Sequence, residues 1–449
     1  MKKYLFSIAA LIFFFSCKPH IPLPAAQKGN ADFTKIVAVG DDYLSGFTNG
    51  ALRADGQEAS IPNLIALQCK TYFQTADFAQ PLMPNTFGFG AELNDMGNGT
   101  NFWTPFSLQY HQDCLDSIII FPVRNSLDAT NPLLIQAQTG IFNSGGFSNF
   151  AVPMMKATDM FSSAFSNPDL ILGGNPYYNR FAANPGQSNI ANESKKQNAT
   201  FFILHVGMED IYHYARSGAT VGNIQPSAAF SISLEKIIDS LSANGAKGVI
   251  ANIPSLESMP YFSFINSQSC VLDASQASQI NGIFQGQIVF QAGANGFSIY
   301  DPNALWGFRH MKPEEKLLLN VNPDSLKCFA SGTIYPLRDK FILDSTELVF
   351  INEMIAEYND VIANAASLHG LALVDLHSYF NKVQTGFISE GRNVNSIFVE
   401  GNFFSLDGYH PTKFGYALLT NEFIKAINTT FNSTIPTVET ANVETIIFP

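Results

Sequence analysis

The stretch Lys35-Ile36-Val37-Ala38-Val39-Gly40-Asp41-Asp42-Tyr43-Leu44-Ser45-Gly46-Phe47 decides the fold. Its first half is an unbroken apolar run with β-branched residues, closed by a glycine. A strand with one wet face would alternate apolar and polar residues, so a continuous run predicts burial on both faces, as in a parallel sheet under helices. Working outward, similar runs recur at 201–206 (ending at Gly207), 248–253 (ending at Pro254) and 371–376. Amphipathic patterns lie between them. One covers 230–241, with Ile232, Leu234, Ile237, Ile238 and Leu241 before an Asn244-Gly245 stop. Another opens at Ser345 and carries Ile351, Met354, Ile355, Tyr358, Val361 and Ile362 on one stripe. Short apolar strands alternating with such helices predict an α/β domain, a parallel sheet with helices on both faces.

The chain has 449 residues, of which 46% are hydrophobic and only 14% charged, ample for a large core. Its formal charge is −12, and no Lys/Arg stripe is visible, which argues against a nucleic-acid partner. The N-terminus reads as an export signal: Lys2 and Lys3, an apolar run over 5–15, then Ser16-Cys17. A small residue followed by Cys directly after such a run resembles a bacterial lipoprotein signal, which implies a lipidated Cys17 and stable membrane anchoring by its acyl chains. Lys18, rather than Asp, after that cysteine favours the outer membrane of a cell envelope. Residues 18–34, with Pro19, Pro22, Pro24 and Gly29, read as a flexible tether. The domain then spans 35–430, followed by a tail over 431–449. Two segments, 70–140 and 255–340, are rich in Phe, Pro, Asn and Gly and exceed ordinary loops. They are read as insertions at the C-terminal edge of the sheet, serving as lids or small subdomains. Four cysteines remain beyond Cys17, namely Cys69, Cys114, Cys270 and Cys328. Three full pairings are open to them, with buried thiols favoured because Cys69 sits in an apolar helical pattern. No CxxC or Cys/His metal spacing occurs, and no cofactor is expected.

In open α/β sheets ligands bind beyond the carboxyl ends of the strands. After the first strand comes Gly40-Asp41-Asp42-Tyr43-Leu44. After a later one comes Gly207-Met208-Glu209-Asp210, and near the C-terminus Ser405-Leu406-Asp407-Gly408-Tyr409-His410-Pro411. In order and spacing these blocks resemble the SGNH/GDSL hydrolases, in particular lipoprotein members with long insertions. The resemblance implies a flavodoxin-like three-layer sandwich of about five parallel strands and an ancestral esterase activity on lipids or acylated carbohydrates. An Asp and a His three residues apart on one loop can bond, fixing the imidazole for general-base work. By the resemblance Asp407 and His410 take those roles, while Asp41 and Asp210 hold loops.

Three positions depart from the pattern. The nucleophilic serine falls on Asp42, the oxyanion-hole glycine on Met154, and the oxyanion-hole asparagine on Glu209. Loss of the nucleophile alone costs on the order of 10⁶-fold in a Ser–His–Asp enzyme. Ser45 lies one helical turn past Asp42 and is a poor replacement. The expectation is therefore a binding module without serine-esterase activity, with a glycan or lipid ester as ligand. Two alternatives are a hydrolase using Asp42 and Glu209 with His410 in non-standard chemistry, and a divalent-cation site on the same three residues. His205 and His377 read as core or rim histidines, while His111 and His310 fall in the insertions without ligand-like partners. The oligomeric state is left open.

Overall fold

A computed structural model describes residues 25–84, 87–93, 100–141, 146–328 and 330–449. The export signal and Cys17 lie outside the described residues. Among these, no helix is long and apolar enough to cross a membrane.

The central sheet has five parallel strands: β1 (Ile36–Gly40), β2 (Asn149–Ala151), β3 (Phe201–His205), β4 (Lys247–Ala251) and β5 (Ala372–Val374). Their spatial order is β5-β4-β3-β1-β2. β1 pairs along its whole length with β3, from Ile36 opposite Phe201 to Gly40 opposite His205, and its last three residues pair with β2. Every residue of β1 and β3 is buried, as the unbroken apolar runs demand. The four strands read from the sequence are all present. The fifth, Asn149–Ala151, follows Ser148 and opens on an asparagine, so no unbroken apolar run marks it.

Helices α1 (Ile61–Phe73), α2 (Met208–Arg216), α3 (Ser227–Ser242), α4 (Ser345–His369), α5 (Leu376–Thr385) and α6 (Lys413–Phe431) complete the frame. α1 and α6 pack together, α3 and α4 pack together, and both pairs flank the sheet. The boundaries follow local chemistry. Asp344 caps α4 with a reciprocal Glu347 bond, and Gly370 ends it in a left-handed conformation at φ +62°.

Both insertions build structure of their own. The first contains a three-stranded antiparallel sheet (Gly90–Leu93, Thr100–Trp103, Ser126–Leu127) and a hairpin, Ser107–Gln112 with Ile118–Val123. The second carries a separate small core that includes Phe284, Phe290, Ile299 and Met311. A disulfide, Cys114–Cys328, joins the two insertions, while Cys69 and Cys270 are buried free thiols. The thiol reading thus holds for two of the four cysteines and is corrected for the other two. Burial pushes the Cys69 thiol up to about 12 and the Cys270 thiol to about 11, so both are inert.

The ends of the domain need one correction. Residues 25–34 are packed rather than free. Asn30 N–H donates to Phe431 O (2.7 Å), Gln27 N–H to Thr434 Oγ1 (2.9 Å), and Phe33 is fully buried. The tail after α6 also lies against the domain, with Ile435 buried and Phe414 N–H donating to Glu444 O (3.2 Å). Apolar Phe33 and Ile435 make packing worth more than chain freedom at both ends.

Candidate active site

At the carboxyl end of β1 the chain turns sharply. Asp41 accepts from Tyr43 N–H (3.2 Å) and opens a single helical turn, Asp42–Ser45, closed by Gly46 at φ +80°. This turn aims Asp42 into the crevice between β1 and β3, where the strand order reverses. From the other side comes the loop before α6. There Asp407 Oδ1 accepts from the backbone of Tyr409 (2.9 Å) and His410 (2.8 Å), and its Oδ2 accepts from Gly50 N–H (2.6 Å). The same Oδ2 lies 3.0 Å from His410 Nδ1. These contacts fix the imidazole with Nε2 directed at Asp42, whose Oδ2 is 3.8 Å away.

Met154 supplies the third component. It follows β2 with φ +64°, a left-handed conformation that a glycine adopts without strain and a methionine rarely does. This backbone points the Met154 N–H into the crevice, where it donates to Asp42 Oδ1 (3.0 Å). Asp42 therefore places one carboxylate oxygen on a backbone donor and the other toward the imidazole.

The electrostatics follow from burial. Asp42 is 4% exposed and His410 3% exposed. Burial opposes the charged imidazole, but the carboxylate charge of Asp407, its hydrogen bond and Asp42 together hold His410 up at about 9. Burial works against the Asp407 carboxylate too, yet the charge and hydrogen bond of His410 bring it down to about 2. Burial raises Asp42, and Glu209 adds to this, against the opposing pull of His410. At neutral pH His410 is thus held as an imidazolium, paired with the Asp407 carboxylate and facing Asp42, whose own carboxyl burial and Glu209 push upward. A histidine that already carries its proton cannot remove one from a nucleophile.

Glu209 does not join this group. It sits in the first turn of α2 after Gly207 (φ +98°), is 1% exposed, and is gripped by Arg216 Nη2 at 2.6 and 2.7 Å. His213 Nδ1 lies 3.5 Å away. Burial alone would raise the Glu209 carboxyl, but Arg216 and then His213 hold it at about 2. Arg216 in turn stacks over the Tyr409 ring (4.7 Å). Sequence reading named Glu209 but missed Arg216 and His213. The signal was present, because positions four and seven along from Glu209 fall on the same helix face.

Asp42, Glu209 and His410 do not converge as an ion's ligands, and among the described residues no group of three or more His, Cys, Asp or Glu is placed to hold a metal. Asp41 accepts from His205 Nδ1 (2.8 Å), and Asp210 accepts from Ala157 N–H (2.9 Å), so both hold backbone and core in place. Ser45 is buried and its hydroxyl donates to Asp42 O (2.8 Å), which removes it as a stand-in nucleophile. His111, expected to lack partners, pairs with Asp324 (3.1 Å), and both ring nitrogens of His310 face backbone carbonyls. The crevice is closed from above. The Phe47 ring lies 4.7 Å from the His410 ring, Tyr177 packs edge-on against Phe47, and Phe89 stacks on Tyr177 at 4.8 Å.

None of the protein families or curated proteins compared with this chain matches it.

Proposed function

We propose that this chain is a catalytically silenced relative of the SGNH/GDSL hydrolases, exported and held at a cell envelope by a lipid on Cys17, whose scaffold serves as a binding module for a glycan or lipid ester. One observation carries the reading. The Asp42 carboxylate takes the Met154 N–H with one oxygen and faces the imidazolium of His410 with the other. In a serine esterase the first place belongs to the developing oxyanion and the second to the nucleophile. A single substitution therefore removes the nucleophile and fills the seat of the transition state. The strand order, the positive φ at Met154 and the Asp407–His410 bond support descent from an active esterase.

The alternative, with Asp42 as nucleophile, finds less support. Such a carboxylate must reach a substrate carbon, whereas Asp42 is 4% exposed with Oδ1 already bonded. A proton shared between Asp42 and Glu209 is disfavoured by the Arg216 grip on Glu209. The test is hydrolysis of p-nitrophenyl acetate by wild type, Asp42→Ser and Asp42→Ser/Glu209→Asn. The wild type is expected to be inert and Asp42→Ser to gain a rate that His410→Ala abolishes. The double variant should gain no further rate, because Glu209 faces Arg216 and His213 rather than the Met154 N–H. Wild-type hydrolysis that disappears in His410→Ala would overturn the proposal.

A further inference from the structure

The two insertions rise on opposite sides of the crevice. The first lies between β1 and β2 in the chain and the second follows β4, whereas Asp42 and Glu209 follow β1 and β3, the two strands in between. Each insertion also grips the floor of the site. On the first side, Phe106 N–H donates to Asn49 O (2.8 Å), and Leu52 and Phe89 exchange backbone bonds (3.0 and 3.2 Å), so that Phe89 backs Tyr177. On the second side, Tyr261 N–H donates to Gly408 O (2.9 Å), and Tyr261 OH donates to Arg216 O (3.1 Å). Leu319 packs so closely that a Cβ on Gly408 would lie 2.8 Å from its Cδ2.

Among the described residues, the disulfide and the ion pairs that tie the insertions to each other fall in one cluster. The hairpin tip carries Cys114, bonded to Cys328. Beside it His111 pairs with Asp324 (3.1 Å) and Lys327 with Asp113. Both cysteines are partly exposed. We infer that Cys114–Cys328 is a strap that holds the two insertions closed over the Asp42–His410 crevice, and that its reduction opens the crevice.

The chemistry requires a dithiol reductant. One thiolate of the dithiol attacks a cysteine sulfur and the S–S bond breaks. The other cysteine leaves as a thiolate and takes a proton. The second thiol of the reductant then displaces the mixed disulfide, leaving two cysteine thiols and an oxidised dithiol. Closure of a long covalent loop limits how far its ends can separate, and this bridge spans 214 residues. Once it is cut, two ion pairs remain across the cluster, the partly exposed His111–Asp324 and Lys327–Asp113, whose carboxylate is buried but whose ammonium is open to solvent, and pairs screened in this way hold little on their own. Cys69 and Cys270 are already thiols, so among the described cysteines a reductant acts through this bridge alone.

The experiment is hydrogen exchange on the full chain, read by mass spectrometry with and without dithiothreitol. Cys114→Ser/Cys328→Ser serves as a permanently open form without reductant. Amides over 43–50 and 405–412, on the crevice floor, are expected to exchange about tenfold faster or more when the bridge is cut, while 201–205 and 247–251 of the sheet keep their protection. A change confined to 107–123 and 322–328 would mean a local staple and overturn the inference. Equal loss of protection in the sheet would overturn it as well, because the bridge would then stabilise the whole fold rather than close a cover. The readout involves no catalysis, so it stands apart from the outcome of the esterase test.

Discussion

Replacing Asp42 by Asn keeps the shape of the side chain and an oxygen for the Met154 N–H, but removes one of the two charges that hold His410 protonated. The size of the effect follows from the geometry. At the 3.8 Å separation of Asp42 Oδ2 and His410 Nε2, a unit-charge pair is worth about 4 kcal/mol at an effective dielectric of roughly 20 and about 1 kcal/mol at the bulk-water limit of about 80. At about 1.4 kcal/mol per pH unit, the Asp42→Asn variant should lower the His410 value by about 1 to 3 units. The group then titrates near neutrality instead of at about 9. The sign for stability follows. The folded value lies above the ordinary 6.5, so the pairing stabilises the fold fully below about 6.5 and is lost as pH rises through about 9. Wild type should therefore exceed Asp42→Asn in unfolding free energy at pH 6, with the gap closing by pH 10. The assay is an NMR titration of the imidazole resonances, with His410 assigned among eight histidines by its absence in His410→Gln. A displacement under about half a unit would refute the reasoning, since Asp42 would then not be a charge partner of this histidine.

Three further outcomes are expected. Glu209→Ala leaves the partly buried Arg216 without its carboxylate and should cost about 1–3 kcal/mol by denaturant unfolding, with a double-mutant cycle against Arg216→Ala giving clear coupling. Met154→Val should be less stable than Met154→Asn by about 1 kcal/mol or more, because a β-branched residue tolerates φ +64° poorly while Asn accepts it. Asp210 is held at about 7, first by burial and then by Asp159, against the opposing bond from Ala157. The unfolded chain therefore releases this proton first, and stability should fall between about pH 4 and 7, a slope that Asp210→Asn should flatten in unfolding measured across that range.

What was legible in the sequence was local. Four of the five strands announce themselves because a residue buried on both faces must be apolar, and α4 declares its start at Ser345. Asp407 and His410 were equally readable, since three residues on one loop suffice to bring Nδ1 to the carboxylate. The unreadable features depend on contacts distant in the chain. Nothing at position 154 marks a left-handed residue, because Met is chosen against by its backbone there rather than for it. The partner of Cys114 lies 214 residues away, and spacing cannot select it. The tether read over 18–34 fails in its described part, 25–34, for a related reason: Pro19, Pro22, Pro24 and Gly29 suggested a linker, but Phe33 finds a fully buried place.

The buried carboxylates at positions 42 and 209 each lie beside a cation. Two added carboxylates in one buried crevice would repel each other and raise each other's proton affinity. Here Asp42 faces the imidazolium of His410 and Glu209 the guanidinium of Arg216, although Glu209 still raises Asp42. An unpaired buried charge costs several kcal/mol, so neither carboxylate is tolerable without its partner. On the proposed reading, His410 serves as a counter-ion to buried carboxylates, and its presence there requires no catalysis. For the same reason the histidine, the residue most diagnostic of an active site in the sequence, says least here about activity. The state of its proton, set by Asp42, decides what it can do.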